Sequence, residues 1–173
     1  MEHESVLVRR RLDDDLPQAA AGLVRVHARD GYPVEGVDRP EAWLTPKGTL
    51  DAWVAVRSRA VVGHVLVSRP ADEPAVALWT GRSGEGVDSV AVLARLFVVP
   101  EARNMAVGES LIGAAVAHFR GRGIRLVLDV LRKDTAAIRL YTRLGWENIG
   151  SAVHPYGVGK QAEAFGFVAP AAG

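Results

Sequence analysis

The alternation of apolar and polar residues along the chain predicts a protein of the α/β class. Runs rich in valine and other β-forming residues predict strands near residues 6–12, 50–57, 61–68, 91–99, 126–131, 146–153 and 162–168. Apolar residues that recur every three or four positions predict helices near residues 13–29, 41–44, 107–120 and 134–144. Because the helices are interspersed among the strands, we expect them to flank one mixed sheet.

Two segments of this pattern differ in how clearly they can be interpreted. The run Ala91–Val99 is apolar at nearly every position except Arg95, and a strand of this kind usually lies in the middle of a sheet. Ala75–Trp79 is bracketed by prolines and glycines, and its pattern fits either a helical turn or an extra strand. We therefore place the first run centrally and leave both interpretations of the second open.

Composition narrows the class of protein. The 173 residues fit one compact domain, so we predict a single domain over residues 1–173. The absence of cysteine excludes disulfides and a cysteine nucleophile, and we expect no metal. With 21 basic and 20 acidic residues the net charge is +1, so the overall charge does not attract the protein to nucleic acid.

No run approaches the roughly 18 apolar residues of a membrane span, and the first ten residues lack a signal-peptide pattern. We therefore expect a cytoplasmic protein without a nucleic-acid or membrane partner.

A candidate anion site follows the central strand. The strand ends at Val99-Pro100, and Arg103-Asn104-Met105-Ala106 lead into a helix whose apolar positions begin at Val107. A strand, a tight turn and a helix start in this order present main-chain N–H groups at the positive end of a helix dipole. Such a turn suits a diphosphate, although many α/β proteins enter a helix in this way without a ligand.

Two motifs in sequence order resemble those of the GNAT superfamily of N-acetyltransferases. The first is R/Q-x-x-G-x-G/A after a strand of the form Leu-x-Val-x-Pro, matched by Leu96, Val98, Pro100, Arg103, Ala106 and Gly108. The second is N-x-x-A-x-x-x-Y followed by glycine and an aromatic residue, matched by Asp134, Ala137, Tyr141, Gly145 and Trp146. The resemblance covers about residues 90–150 closely. It implies a mixed, mostly antiparallel central sheet with flanking helices.

The resemblance also implies acetyl-CoA as co-substrate and assigns residues to it. Those assigned to the pantetheine arm are Phe97, Val98 and Val99, and those assigned to the diphosphate are Arg103, Asn104, Met105, Ala106, Val107, Gly108 and Glu109. Asp134 and Ala137 would lie near the pantetheine or thioester end, and Tyr141 would place its hydroxyl beside the sulfur as general acid. The region that lines the acceptor cleft in the family corresponds to His27, Tyr32, Glu35 and Trp43.

Three positions depart from the family pattern. Asn104 and Ala106 stand where glycine is usual, and Asp134 replaces the commoner asparagine. Alanine adds the smallest side chain and asparagine tolerates a positive φ, so we expect weakened rather than lost binding. Asp134 can cap the predicted helix as well as asparagine does, but it brings a negative charge.

The pKa values of the reacting groups define what the site must supply. An alkyl ammonium titrates near ~10.4, a phenol near ~10 and a thiol near ~8.5. An acceptor amine must therefore lose a proton before it attacks, and the departing sulfur gains from a hydrogen bond. The family usually has a glutamate on the central strand or an ordered water chain for this purpose, whereas this strand offers only Arg95. We predict Glu101 as the base, and Asp88, His27 and His154 are alternatives.

Tyr141 and His64 can each be interpreted as a structural residue as well as a functional one. Tyr141 lies on the apolar stripe of its helix and could be a core aromatic residue. His64 lies in the middle of a strand, and we interpret it as a core or edge histidine whose hydrogen bonds are satisfied.

These observations predict an N-acetyltransferase that moves an acetyl group from acetyl-CoA to a primary amine by direct attack in a ternary complex. The acceptor would be a small-molecule amine or a peptide amine, and a homodimer is compatible with the resemblance. The alternative is a non-catalytic acyl-CoA-binding sensor or interaction module, suggested by the substituted phosphate turn and the missing strand glutamate. A third, weaker hypothesis is an O-acyl or longer-chain acyl transferase on the same fold.

Overall fold

The computed structural model describes residues 5–155 and 158–171, and it contains the strands and helices that the pattern predicts. The strands are β1 (Leu7–Arg10), β2 (Thr49–Arg57), β3 (Ala60–Ser68), β4 (Val90–Val98), β5 (Arg125–Leu131), β6 (Glu147–Pro155) and β7 (Gln161–Val168). The helices are α1 (Leu16–Asp30), α2 (Pro40–Leu44), α3 (Pro74–Ser83), α4 (Val107–Arg120) and α5 (Thr135–Arg143). The prediction of the α/β class is confirmed.

The seven strands are hydrogen-bonded in the order β1-β2-β3-β4-β5-β7-β6. β1 pairs antiparallel with β2, and β7 pairs antiparallel with both β5 and β6. β4 and β5 run parallel. The mixed, mostly antiparallel sheet and the central place of the most apolar strand are therefore both confirmed.

The segment that the pattern left open is helical. Pro74 stands in the first turn of α3, where its missing N–H costs nothing, and Gly84 ends the helix with a φ of +74°. Ala75 and Val76 are buried, and they belong to a core cluster with Val90, Val92, Val127, Ile149 and Val168. Burial against these strand residues, rather than a clear period, makes this segment a helix.

The chain divides into two compact units. One contains the described residues up to Val67 together with Arg95–Ala115, and the other contains Ser68–Ala94 together with the described residues from Val116 onward. The prediction of a single domain stays a prediction. No helix of the described chain is both long and apolar enough to cross a bilayer.

The core of the first unit forms around α1. Four residues at helical spacing on α1 are buried with residues of α2, β2, β3 and β4, and the cluster comprises Ala19, Ala20, Leu23, Val26, Leu44, Val54, Val61 and Phe97. A Cβ on Gly22 would lie 3.1 Å from a methyl carbon of Val99 and 3.5 Å from the ring of Phe97. The lack of a side chain at Gly22 therefore lets α1 approach the end of β4 closely.

We expect Asp129→Asn to stabilise the protein at neutral pH. Asp129 lies on β5, and burial raises the pKa of its carboxyl to about 6, while the N–H of Ala75 donates to its Oδ1 at 3.0 Å. Because the folded-state pKa lies above the unfolded value of 3.8, stability is lost as the pH rises from about 3.8 to about 6, and the full cost of the charged carboxylate is present above that range. Asparagine keeps the acceptor without the charge, so the variant should gain about 1–2 kcal/mol at pH 7.

The measurement is chemical denaturation at pH 4.5 and pH 7. The exposed Asp72→Asn is the matched control and should follow the wild type at both values. A variant Asp129→Asn that is less stable than the wild type at pH 7 would contradict the argument.

Candidate functional site

Arg95 has a left-handed backbone within β4. Its φ is +58°, a conformation that costs a residue other than glycine roughly 1–2 kcal/mol. β4 pairs with β5 over Val90–Val92. The residues expected to bind the pantetheine arm, Phe97–Val99, lie beyond this pairing and beyond Arg95.

The main-chain groups at the end of β4 point alternately to the two edges of the strand. The N–H of Val99 donates to the carbonyl of Val62 on β3 at 2.9 Å, so the groups of Val98 face the other edge. There the Val98 carbonyl accepts hydrogen bonds from Nε and Nη2 of Arg103, each at 3.2 Å. Nη2 of Arg103 also donates to Asp30 at 2.6 Å. Both lone pairs of the Val98 carbonyl are thereby engaged, so pairing of an extended ligand at Val98 would depend on its N–H, which faces the same edge of the strand.

The turn after β4 leaves a row of main-chain donors. Within the part of the chain that the structure describes, the N–H groups of residues 104–108 donate to no protein acceptor. The ladder of α4 starts later, where the N–H of Ser110 donates to the carbonyl of Ala106 at 3.0 Å. Asn104 and Ala106 have φ values of +65° and +59° and are exposed. Left-handed residues within such a turn direct neighbouring N–H groups to one side and form an anion-binding concavity.

Gly63 on β3 allows α4 to begin close to the sheet. A Cβ at this position would lie 3.0 Å from side-chain atoms of both Val107 and Leu111, and 3.3 Å from the carbonyl oxygen of Phe97. Val107 and Leu111 are both buried, so neither can move away without opening the core. The position of the donor row therefore depends on the missing side chain at Gly63.

The structure brings together three of the four residues predicted to contact the acceptor. The rings of Tyr32 and Trp43 meet edge to face with centroids 5.8 Å apart, and Nε1 of Trp43 donates to Glu35 at 2.7 Å. The guanidinium of Arg95 lies 4.5 Å above the Trp43 ring and 3.8 Å from the Glu35 carboxylate. We call Tyr32, Glu35 and Trp43 the aromatic cluster, against which Arg95 packs. His27 is half-buried on α1 and makes no described hydrogen bond or ring contact with this cluster.

Tyr141 lies in the second unit and is largely buried. Its side chain is 5% exposed, and its ring packs against Trp146 and Phe167 with centroid distances of 5.5 and 6.3 Å. Burial, and to a smaller extent the charge of Asp134, raise the pKa of the phenol above its usual value of about 10. The hydroxyl therefore stays protonated at any physiological pH and can donate a hydrogen bond.

The hydroxyl of Tyr141 differs from the side-chain polar atoms that are buried without a hydrogen-bond partner. Two side-chain polar atoms of the described residues are buried without a hydrogen-bond partner, namely Nε of Arg57 and Nε1 of Trp79. The hydroxyl of Tyr141 is not one of them. Its ring packs as a core aromatic residue does, but its hydroxyl is not a buried polar atom that lacks a hydrogen-bond partner.

Asp134 and Ala137 flank the start of α5. Asp134 occupies the position before the helix, but its side chain makes no capping hydrogen bond, contrary to the expectation from sequence. Burial raises the pKa of its carboxyl, and the charge of Lys133 opposes that rise. Ala137 is half-buried one turn before Tyr141.

The structure is unfavourable to Glu101 as a general base. Its carboxylate is ion-paired with Arg25, and the hydrogen bond from this guanidinium lowers the pKa of Glu101. A base needs proton affinity, and this pairing reduces it. The alternatives Asp88 and His154 lie in the second unit, Asp88 exposed and His154 half-buried. Among the described residues no group of three or more acidic or histidine side chains is arranged to hold a metal ion.

The polar contacts of His64 with Arg95 and Arg11 were not predicted from the sequence. His64 is a satisfied core histidine, as interpreted, with 0% of its surface exposed. Its Nδ1 lies 2.9 Å from the carbonyl oxygen of Arg95, and its Nε2 lies 2.9 Å from Nη1 of Arg11. The sequence shows His64 inside one apolar strand and Arg95 inside another, but no sequence pattern predicts that the two residues are in contact.

Comparison with known proteins gives a family match and partial relatives. The profile of the acetyltransferase (GNAT) family matches residues 18–146. A mycothiol acetyltransferase of Geodermatophilus obscurus is 32% identical over 108 residues, which is 61% of this chain and 30% of the relative. A mycothiol acetyltransferase of Streptosporangium roseum is 36% identical over 72 residues, 39% of this chain and 21% of the relative. The chain thus spans about a third or less of the length of these relatives.

Solved structures of N-acetyltransferases share the fold at low sequence identity. An N-acetyltransferase from Staphylococcus aureus Mu50 superposes with a TM-score of 0.71 at 15% identity, covering 95% of this chain and 97% of that one. The ribosomal-protein-S18-alanine N-acetyltransferase of Escherichia coli gives 0.70 at 19% identity over 98% and 97%. Arabidopsis thaliana NAA60 in complex with acetyl-CoA gives 0.70 at 20% identity over 95% and 97%.

We expect Gly63→Ala to destabilise the protein by about 1–3 kcal/mol, because the added methyl overpacks the contact between β3 and the start of α4. The measurement is the free energy of unfolding by denaturant. Gly113→Ala, within α4 and with no atom outside the neighbouring backbone of that helix within 4 Å of its added Cβ, is the control and should stabilise by about 0.5–1 kcal/mol. Equal effects of the two substitutions would show that Gly63 is not needed for close approach.

Proposed function

Since the chain belongs to the acetyltransferase (GNAT) family, we propose that it transfers an acetyl group from acetyl-CoA to a primary amine. The observation that supports acetyl-CoA as the source of the acetyl group is the row of N–H groups at residues 104–108 that donate to no described protein acceptor. These donors, at the start of α4, suit the diphosphate of a coenzyme A thioester. The residues present therefore fit this co-substrate, although two of them depart from the family pattern.

The residues proposed to hold acetyl-CoA act mostly through their main chain. Phe97, Val98 and Val99 would pair with the pantetheine arm, with Val98 contributing most because the N–H of Val99 is already bonded to Val62. Residues 103–109 would surround the diphosphate. The side chain of Arg103 is held by Asp30 and the Val98 carbonyl, so its role is to fix the turn rather than to bind phosphate. Asp134 and Ala137 stay proposed neighbours of the thioester end.

The chemistry proposed is direct transfer in a ternary complex. Bound acetyl-CoA supplies a thioester whose carbonyl carbon is attacked by the unprotonated amine, forming a C–N bond as the C–S bond breaks. The site must accept the proton that the amine gives up and stabilise the charge on the departing sulfur. Tyr141 is our candidate for the second task. Because its pKa is raised, it would donate a hydrogen bond and keep its proton.

The first task lacks an equally good candidate. Glu101 stays the proposed base, but its ion pair with Arg25 must open before it can accept a proton. Glu35 of the aromatic cluster holds Trp43 and Arg95, so it is also engaged. Proton transfer to bulk water through an ordered water chain is compatible with this arrangement.

The acceptor proposed is a small-molecule amine or the amino terminus of a peptide, bound at His27, Tyr32, Glu35 and Trp43. The relatives are named mycothiol acetyltransferases, so a mycothiol-type acceptor belongs in a test panel. The E. coli structure is named for an alanine of ribosomal protein S18, so peptides with amino-terminal alanine belong there too. Cytoplasmic location and dimer formation stay predictions.

The second candidate function is an acyl-CoA-binding module without turnover. The 5% exposure of Tyr141 and the ion pair of Glu101 favour it, since one candidate catalytic group is largely buried and the other is already paired. The discriminating result is binding of acetyl-CoA, measured by calorimetry, without thiol release across the amine panel. Thiol release with any amine supports transfer, and failure to bind any acyl-CoA contradicts both functions.

We expect Ala106→Asp to weaken acetyl-CoA binding at least tenfold in calorimetry. Position 106 is exposed and left-handed, and a carboxylate there would repel the diphosphate at the donor row. Ala106→Asn is the matched control, because asparagine has the same shape, tolerates a positive φ and carries no charge. The control should bind within about threefold of the wild type. Equal affinities of the two variants would place the diphosphate elsewhere.

We expect Tyr141→Phe to lower kcat about 10–100-fold with little change in KM for acetyl-CoA. A hydrogen bond to a charged group contributes roughly 1.5–3 kcal/mol, and this one would be strongest as the sulfur leaves. The measurement is steady-state thiol release, with the unfolding midpoint recorded to show that the packing against Trp146 and Phe167 is intact. A kcat within threefold of the wild type would leave Tyr141 as a packing residue.

A further inference from the structure

His64 is a fully buried ionisable residue that the proposed chemistry does not use. It lies on β3 with none of its surface exposed, and its ring stacks on Phe97 of β4 with centroids 5.6 Å apart and an interplanar angle of 17°. A phenylalanine or leucine would fill such a place without the cost of desolvating two ring nitrogens. The contacts made by those nitrogens therefore need a reason.

The partners of the ring fix its protonation and tautomer. Arginine has only donors, so Nη1 of Arg11, 2.9 Å from Nε2, makes Nε2 an acceptor. The proton must then be on Nδ1, which donates to the Arg95 carbonyl at 2.9 Å. Two further hydrogen bonds hold Arg11 in place. Its side-chain Nη1 also donates to the carbonyl of Leu44 at 2.6 Å, and its main-chain N–H donates to the carbonyl of Ala52 at 2.9 Å. The ring is therefore neutral and oriented by a fixed guanidinium.

The carbonyl at the end of this chain belongs to the strained residue. Arg95 has a φ of +58°, far from the negative φ of an ordinary strand residue. Its side chain is also held, over Trp43 at 4.5 Å and beside Glu35 at 3.8 Å. Arg95 is thus anchored through its main chain by His64 and through its guanidinium by the aromatic cluster.

We infer that His64 is a positioning residue: it holds the left-handed backbone of Arg95, and thereby sets both the main chain of Phe97–Val99 and the place of the guanidinium on Trp43. In functional terms the inference rests on the proposed acetyl transfer, because those two elements are the proposed pantetheine strand and acceptor site. In structural terms it concerns the first unit alone. The competing role is that His64 merely gives the half-buried Arg11 a hydrogen-bond partner.

Two amide substitutions separate these roles. The side-chain nitrogen of asparagine is as many bonds from the main chain as Nδ1, so His64→Asn can keep the bond to the Arg95 carbonyl. The side-chain oxygen of glutamine corresponds to Nε2, so His64→Gln can keep the bond from Arg11. If His64 positions Arg95, the asparagine variant is the conservative one; if it only satisfies Arg11, the glutamine variant is.

Hydrogen exchange read by mass spectrometry tests the structural part without any substrate. We expect peptides covering residues 95–99 to exchange at least tenfold faster in His64→Gln than in the wild type, and within threefold of it in His64→Asn. The reverse order, or equal exchange in all three proteins, would overturn the inference. Because no acyl-CoA is added, this outcome is independent of whether the proposed function is correct.

Kinetics test the functional part. With acetyl-CoA and an active amine, kcat/KM for the amine should fall at least tenfold in His64→Gln and stay within threefold in His64→Asn. A wild type that releases no thiol would contradict the proposed function but leave the exchange result standing. Wild-type turnover with equal losses in both variants would overturn the positioning role.

The pH dependence gives a check on the ring in the wild type. Arg11 and Arg95 face the ring, with Asp13 and Asp15 near Arg11 and Glu35 near Arg95. Burial first, and then the two arginine charges, lower the pKa of His64 to about 4, against a carbonyl bond that raises it. Since the unfolded chain takes up the proton near 6.5, this contribution to stability is complete above pH 6.5 and is lost as the pH falls toward 4.

The Tm of the wild type should therefore fall between pH 7 and pH 5 by roughly 5 °C more than that of either amide variant. In nitrogen NMR of the wild type, the His64 ring should stay neutral at pH 6 with its proton on Nδ1. A ring that titrates near 6.5, or that carries its proton on Nε2, would overturn the inference even if neither variant folds.

Discussion

The left-handed backbone of Arg95 is the constraint on which the candidate site of the first unit depends. A residue with a side chain pays roughly 1–2 kcal/mol to adopt it, so neighbouring contacts must hold it. The structure supplies these contacts at both ends of the residue, through His64 on the carbonyl and Trp43 under the guanidinium. One strained residue thereby links the end of β4 to the aromatic cluster.

Backbone strain also accompanies the candidate anion site a few residues later. Asn104 and Ala106 are both left-handed without being glycine, and the N–H groups around them stay uncommitted among the described residues. Strain of this kind persists where the surroundings determine it, and here Gly63 lets the buried start of α4 fix the turn against β3. The substitutions at the glycine positions of the motif are thus accommodated by the fold rather than removing the donor row.

The second unit contributes groups whose surroundings favour the neutral form. Burial raises the pKa values of Tyr141, Asp129 and Asp134, because charge is poorly solvated among apolar side chains. A phenol in such a place is a hydrogen-bond donor rather than a proton source. In the proposed transfer, such a phenol would stabilise the leaving sulfur by a hydrogen bond without protonating it.

Local sequence determined the strands, the helices and the strand-turn-helix motif, because periodicity, prolines and glycines act over a few neighbouring residues. The order of these elements predicted a mixed sheet, and the family resemblance added that its strands are mostly antiparallel, whereas the helix α3 was left open. Tertiary structure alone decided that Arg25 engages Glu101, that Glu35 and Trp43 meet Arg95, and that His64 holds the Arg95 carbonyl. The partners in each of these contacts are at least eight residues apart and mostly on different elements, and their pairing depends on strand order and packing, which no local pattern records.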